Sequence, residues 1–156
     1  MSTGNILAVD YGRARIGLAL ADSATGMAKP LATLDRVNRN EDMRRLRELA
    51  REHAVKQIVV GLPLRLDGTR GEMAEEAERF ANRARKQIGV PVEMVDERLT
   101  SWEAERLLEE EFGRTRREET EGRRKKKAEK IGVDAVAAAV ILREYLEKSH
   151  AARGAR

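Results

Sequence analysis

The chain has 156 residues and a mass of 17.5 kDa, which is one domain's worth of sequence with enough length to bury a proper core. It has no cysteine and only two histidines, His53 and His150, so a disulfide scaffold, a thiolate zinc site, an iron–sulfur cluster, a cysteine nucleophile and a histidine-rich metal site are all excluded. The formal charge is +4, with 31 basic against 27 acidic residues, and aromatic side chains make up only 3% of the chain, which argues against a base-stacking platform.

In chain order, residues 5–10 (NILAVD) form a short apolar run ending on an aspartate, the pattern of a buried strand. A tight charged turn over Gly12 to Arg15 and a second apolar run, 16–21 (IGLALA), complete a hairpin. After the turn residues 22–26, a third strand is expected over 27–34, at an edge because it contains Pro30. Asn40 is expected to cap a first helix, whose stripe is Met43, Leu46, Leu49, Ala50 and Ala54. His53 is read as a cation at the C-terminal end of this helix.

A buried strand follows at 57–62 and stops at Pro63; residues 64–71 are loop. Met73, Ala77, Phe80, Ala84 and Ile88 mark a second helix from about 72 to 87, with Gly89 as its stop. Residues 90–96 are a further strand, and Thr100 with Glu103 forms a capping box for a third helix carrying Ala104, Leu107, Leu108 and Phe112.

Residues 113–130 (GRTRREETEGRRKKKAEK) hold nine basic and four acidic side chains, so this one segment carries the whole positive excess. It contains no Val, Ile, Leu, Met, Phe, Trp or Tyr, cannot pack a core face and is expected to be mobile. A nucleic-acid-binding arm and a solvated surface stretch are its two readings. Ile131 to Leu146 is the last helix, apolar around much of its girth, and 148–156 is expected to be a frayed basic tail. The longest apolar run, Ala135 to Leu142, falls far short of the roughly 20 residues a bilayer needs, and no basic-then-apolar leader opens the chain. A soluble cytoplasmic protein is expected, as one domain over 1–147. The order β-β-β-α-β-α-β-α-α predicts an α/β fold with a mixed sheet of about five strands and helices on its faces.

Three carboxylate positions sit at element ends. Asp10 ends the first strand, Asp96 and Glu97 end the last strand, and Asp134 lies in the first turn of the final helix. A carboxylate on a buried strand or apolar helix needs an arginine, a backbone donor or a metal ion. Arg13, Arg15 and Arg98 are near in sequence, so arginine pairing is one reading. The other is convergence on a hard divalent cation, Mg²⁺ or Mn²⁺, which takes oxygen ligands. Two such ions can activate water and stabilise a leaving oxygen in phosphodiester cleavage. Adjacent strand residues face opposite ways, so one of Asp96 and Glu97 faces such a site. The loop with Asp67-Gly68-Thr69 leads from a strand end into a helix, a place where phosphate binds or an ordinary connection. No P-loop or dinucleotide motif is present.

Asp10-Tyr11-Gly12 with Arg15-Ile16-Gly17 resembles the opening of the YqgF/RuvX family. Val60-Gly61-Leu62-Pro63, Asp67-Gly68-Thr69, Asp96-Glu97-Arg98-Leu99-Thr100-Ser101 and Asp134-Ala135 with Ala137-Ala138 continue the resemblance in family order over roughly residues 5–146. It implies a ribonuclease H-like sheet, with the first three strands antiparallel and helices on both faces. It also implies a Mg²⁺-dependent nuclease in which Asp10 is the central metal ligand, Asp134 a second and Glu97 a third, with Asp96 the weaker candidate for the third place. On this reading two ions, Mg²⁺ or Mn²⁺, are held, and no protein nucleophile is needed. Arg13, Arg15, Thr69, Arg98, Arg123, Arg124, Lys125, Lys126 and Lys127 are the expected contacts to flanking phosphates. Family functions are 5′-end processing of pre-16S ribosomal RNA, with ribosomal particles as partners, and resolution of Holliday junctions. A non-catalytic RNA- or ribosome-binding protein is the reading from another class. A resolvase would be expected to be a homodimer, since a four-way junction needs two symmetric cuts, whereas an RNA nuclease can act as a monomer.

Overall fold

The computed structural model describes residues 4–22, 24–63, 67–96, 106, 110 and 128–154. Five strands build one sheet: β1 (Asn5–Asp10), β2 (Arg15–Ala21), β3 (Ala28–Asp35), β4 (Val55–Leu62) and β5 (Val92–Asp96). Their order is β3-β2-β1-β4-β5. β1 pairs antiparallel with β2, and β2 with β3; β4 and β5 join parallel to β1. Pro30 lies on the β3 edge, beside a register shift at Leu18/Ala19, where its missing N–H costs the ladder least. The mixed sheet with its antiparallel first three strands is the one expected.

Side chains alternate across this sheet and create two cores. Leu7, Val9, Ile16, Leu18, Ile58 and Val60 point to one face and pack on helices α1 (Arg39–Glu52) and α2 (Glu72–Ile88) through Met43, Leu46, Ala77, Phe80 and Ala84. Ala8, Ala19 and Ala21 point to the other face and meet α3 (Ala128–Gly154) at Ala138, Ala139, Val140 and Leu142. Alanine on alanine lets α3 lie close against the strands.

Several boundaries differ from expectation by a residue or two, β5 for one beginning at Val92 rather than 90, and three of the differences have a structural cause or consequence. The cap of α1 is Asn38, not Asn40: Asn38 is extended and its side-chain oxygen accepts from the Glu41 N–H at 2.8 Å. The chain is fixed there because the buried Asp42 carboxylate accepts from the Val37 N–H at 3.0 Å, which starts the helix earlier. Ala54 belongs to no helix; at φ 51° it turns the chain into β4, which begins at Val55 rather than 57. The last helix begins at Ala128 and runs to Gly154, with its regular backbone broken at Gly132 (φ 57°). Asp134 therefore stands in the first turn after that break. The expected third helix lies outside the described residues except for Arg106 and Glu110, which are helical. The basic segment up to 127 lies outside them as well. Among the described residues no helix is long and apolar enough to cross a membrane.

Candidate active site

The parallel strands β1, β4 and β5 end together, so Asp10, Gly61–Leu62 and Asp96 line one edge of the sheet. Ligand sites of open α/β sheets lie at this edge. Asp10 shares its strand face with Ile6 and Ala8, the face that α3 covers. Its partner across the β1–β2 ladder is Gly17, on the same face as Ala19 and Ala21. Gly17 is buried, and a Cβ built on it would stand 1.9 Å from the Asp134 carbonyl oxygen. The missing side chain is what lets the start of α3 settle on β2. Asp10 and Asp134, 124 positions apart in the sequence, thus come to one face and one edge of the sheet.

Arg15, two residues before Gly17 on the same face of β2, donates from Nε to Asp134 Oδ2 at 3.0 Å. Its guanidinium thus faces the Asp134 carboxylate directly. Arg13 goes the other way. Its guanidinium grips Glu76 of α2, with Nη2 to Oε2 at 2.6 Å, and the Tyr11 hydroxyl donates to the same carboxylate at 3.2 Å. The hydrogen bond from Arg13 holds the Glu76 carboxyl below the usual carboxylate range.

Thr69 closes a turn, donating from both its N–H (2.9 Å) and its hydroxyl (2.7 Å) to Asp67 Oδ1. Asp96 pairs in register with Leu62 and borders a cavity of about 250 Å³ with Met94, Ile141, Glu144, Tyr145 and Lys148. Glu97, Arg98, Arg123, Arg124, Lys125, Lys126 and Lys127 lie outside the described residues. Among the described residues no three His, Cys, Asp or Glu side chains form a metal-holding group. The donors that do share the edge are carboxylate oxygens, the set a hard cation such as Mg²⁺ or Mn²⁺ takes.

One group behind the β1–β2 turn escaped sequence reasoning. Arg36 donates from Nε to Asp42 Oδ2 (2.8 Å) and from Nη1 to the Gly12 carbonyl (2.9 Å). Its guanidinium carbon lies 5.0 Å from the Tyr11 ring centroid and 5.9 Å from that of Phe80. Asp42 reads in sequence as an ordinary acid in a helix's first turn, and nothing in the spacing shows that Tyr11 and Phe80 come together around Arg36.

Three antiparallel strands extended by two parallel ones, with helices on both faces, define the ribonuclease H-like class. Two solved structures of RuvC from T. thermophilus share the fold. The structure described as in complex with Holliday junction substrate has a TM-score of 0.58 at 13% identity, covering 94% of this chain and 96% of that one. The other has a TM-score of 0.61 at 15% identity with the same coverage. Within that class the chain belongs to the RuvX (YqgF) family: the family model described as "RuvX: Holliday junction resolvase" matches residues 4–148. A protein of Anaeromyxobacter sp. (strain K) named "Putative pre-16S rRNA nuclease" is 45% identical over 142 residues, covering 91% of this chain and 96% of its own length. A protein of the same name from Koribacter versatilis is 41% identical over 145 residues, covering 93% of this chain and 88% of its own.

Proposed function

We propose that this chain is a divalent-metal-dependent endonuclease that hydrolyses phosphodiester bonds of structured nucleic acid, and that its reaction is 5′-end processing of pre-16S ribosomal RNA in the cytoplasm, on ribosomal particles. The observation that carries the reading is the Asp10–Gly17–Asp134 juxtaposition, two carboxylates brought by different elements to one face and edge of the sheet. The names of the relatives support the RNA substrate. Resolution of Holliday junctions, by a homodimer, is the second reading; the family description and the fold shared with RuvC favour it.

In this proposal Asp10, Asp134 and Glu97 hold two Mg²⁺ or Mn²⁺ ions, with Asp96 the weaker candidate for the third position. Bound there, the ions supply Lewis-acid stabilisation of the leaving oxygen and lower the pKa of water. The chain's own part is placement. Ladder pairing on both sides of β1 fixes the backbone up to Asp10, and Gly17 fixes the start of α3 that carries Asp134. Arg15 pairs with Asp134 and, being exposed beside it, is the proposed contact to a substrate phosphate. Arg13 meets a phosphate only by exchanging Glu76 for it. Thr69, Arg98 and the 123–127 cluster complete the proposed phosphate contacts, and none of these groups acts as a nucleophile.

The test offers a pre-16S leader RNA and a synthetic four-way DNA junction side by side to the wild type and Asp10→Asn, with Mg²⁺ or Mn²⁺. Asn keeps the shape and removes the charge. Cleavage of the RNA by the wild type alone is the expected result, and cleavage of the junction alone selects the second reading. Equal cleavage by both proteins overturns the Asp10 site, and no cleavage by either overturns the nuclease assignment and leaves a binding protein.

A further inference from the structure

On the α1/α2 side of the sheet, behind the turn that follows Asp10, lies a cavity of about 320 Å³. Its lining is Tyr11, Arg13, Arg36, Arg39, Glu76, Arg79 and Arg83. Five guanidinium groups meet one carboxylate there, and Glu76 is already taken by Arg13 and Tyr11. Asp42 holds Arg36 from behind. Arg39, Arg79 and Arg83 have no carboxylate within ion-pair distance among the described residues. The Arg83 Nε–H is buried and finds no acceptor among them.

A buried donor without an acceptor costs free energy, and like charges pressed together cost more. Burial comes first, and the charges of Arg39, Arg36 and Arg79 add to it, in pulling Arg83 below the ordinary guanidinium value. An anion in the cavity would relieve both penalties. Guanidinium forks match the oxygen geometry of phosphate and remain charged at every physiological pH. The volume exceeds the roughly 30 Å³ of a water molecule about tenfold, so a hydrated phosphate group fits. Arg36 lies over the Tyr11 ring with Phe80 beside them, so packing sets its place in the cavity wall.

We infer that this cavity is a phosphate-binding site, in which Arg39, Arg79 and Arg83 take the oxygens of a phosphate group and Arg36 supplies a fixed positive floor. The phosphate belongs to a nucleic-acid strand or to a free phosphorylated small molecule; the chemistry at the arginines is the same. The site does not depend on the nuclease reading, since it is set on the opposite face of the sheet from the Asp10–Asp134 edge.

The experiment titrates pyrophosphate into the intact full-length chain at constant ionic strength and follows binding by calorimetry. The wild type is compared with Arg39→Gln/Arg79→Gln, which alters only exposed side chains, and with Arg83→Met. Arg44→Gln, an exposed arginine paired with Glu41 and Glu48 on α1, is the control. The expected result is saturable binding by the wild type and the control, weakened about 10-fold or more in the double variant. A second arm measures binding of a fluorescent single-stranded oligonucleotide. Weakening there by the same double variant, with competition by pyrophosphate, assigns the site to strand phosphates. Unchanged oligonucleotide binding assigns it to a free phosphorylated ligand. No saturable pyrophosphate binding by the wild type, or equal binding by wild type and double variant, overturns the inference.

Discussion

The Asp134 carbonyl oxygen occupies the space where a side chain on Gly17 would begin. The contact is with backbone, which cannot rotate away as a flexible side chain can. Gly17→Ala is therefore expected to push the start of α3 off β2. The cost should be about 2–3 kcal/mol or more, at the high end for overpacking. Thermal unfolding reads the stability loss. Mn²⁺-linked stabilisation, if the edge binds metal, should fall further than the stability itself, because Asp134 moves relative to Asp10. A variant as stable and as metal-responsive as the wild type would show that the contact does not position the edge.

In the proposed metal site, Arg15 and a metal ion would compete for the same carboxylate. Arg15→Gln leaves Asp134 free of its 3.0 Å partner. Mn²⁺ affinity, measured by electron paramagnetic resonance, should rise about twofold to fivefold, the worth of an exposed ion pair. Nucleic-acid affinity should fall in the same variant. Unaltered Mn²⁺ affinity would separate Asp134 from the metal site.

Asp42 is buried and holds Arg36, whose side chain is itself only 16% exposed. Asp42→Ala strands a mostly buried guanidinium and the Val37 N–H. A loss of about 3–5 kcal/mol is expected in chemical denaturation. Pyrophosphate is expected to recover part of that loss, because an anion in the arginine cavity again faces Arg36. A loss within the range of an exposed substitution would refute the pair's structural weight.

Tyr145 ties α3 to the β5 edge: its hydroxyl donates to Glu93 Oε2 at 2.8 Å and accepts from Gln57 Nε2 at 2.8 Å. Burial, and then the hydrogen bond to Glu93, raises its pKa above the ordinary value near 10. The folded state thus prefers the neutral phenol. The stability this contributes is present below pH about 10 and is lost as pH rises through the folded-state value. Tyr145→Phe should be less stable than the wild type at neutral pH, and the gap should narrow at alkaline pH. Parallel curves to pH 11 would contradict the assignment.

Local patterning already determines most of the architecture. Apolar runs ending on Asp10 and Leu62 mark the central parallel strands β1 and β4, because a strand covered on both faces has little polar side to show. Pro30 marks the edge, since a residue without an N–H cannot serve a central ladder. The family likeness of the short motifs, and with it the ribonuclease H-like fold, is equally a property of the chain read in order. What the sequence could not settle were relations between residues far apart in it. Asn38 rather than Asn40 caps α1 because Asp42 and Arg36 lock the entry, a contact no local cap preference contains. Arg13 and Arg15 are alike as sequence, yet Arg15 opens β2 on the face of Gly17 and pairs with Asp134, whereas Arg13 lies in the turn before β2 and pairs with Glu76 of α2. The meeting of Asp10 with Asp134 depends on the β1–β2 register and on a helix resting where Gly17 has no side chain. The arginine cavity needs α1, α2 and the β1–β2 turn together. Side-chain period and backbone propensity act within a few residues, whereas charge pairing and close packing act through space, and only the assembled sheet brings those partners within reach.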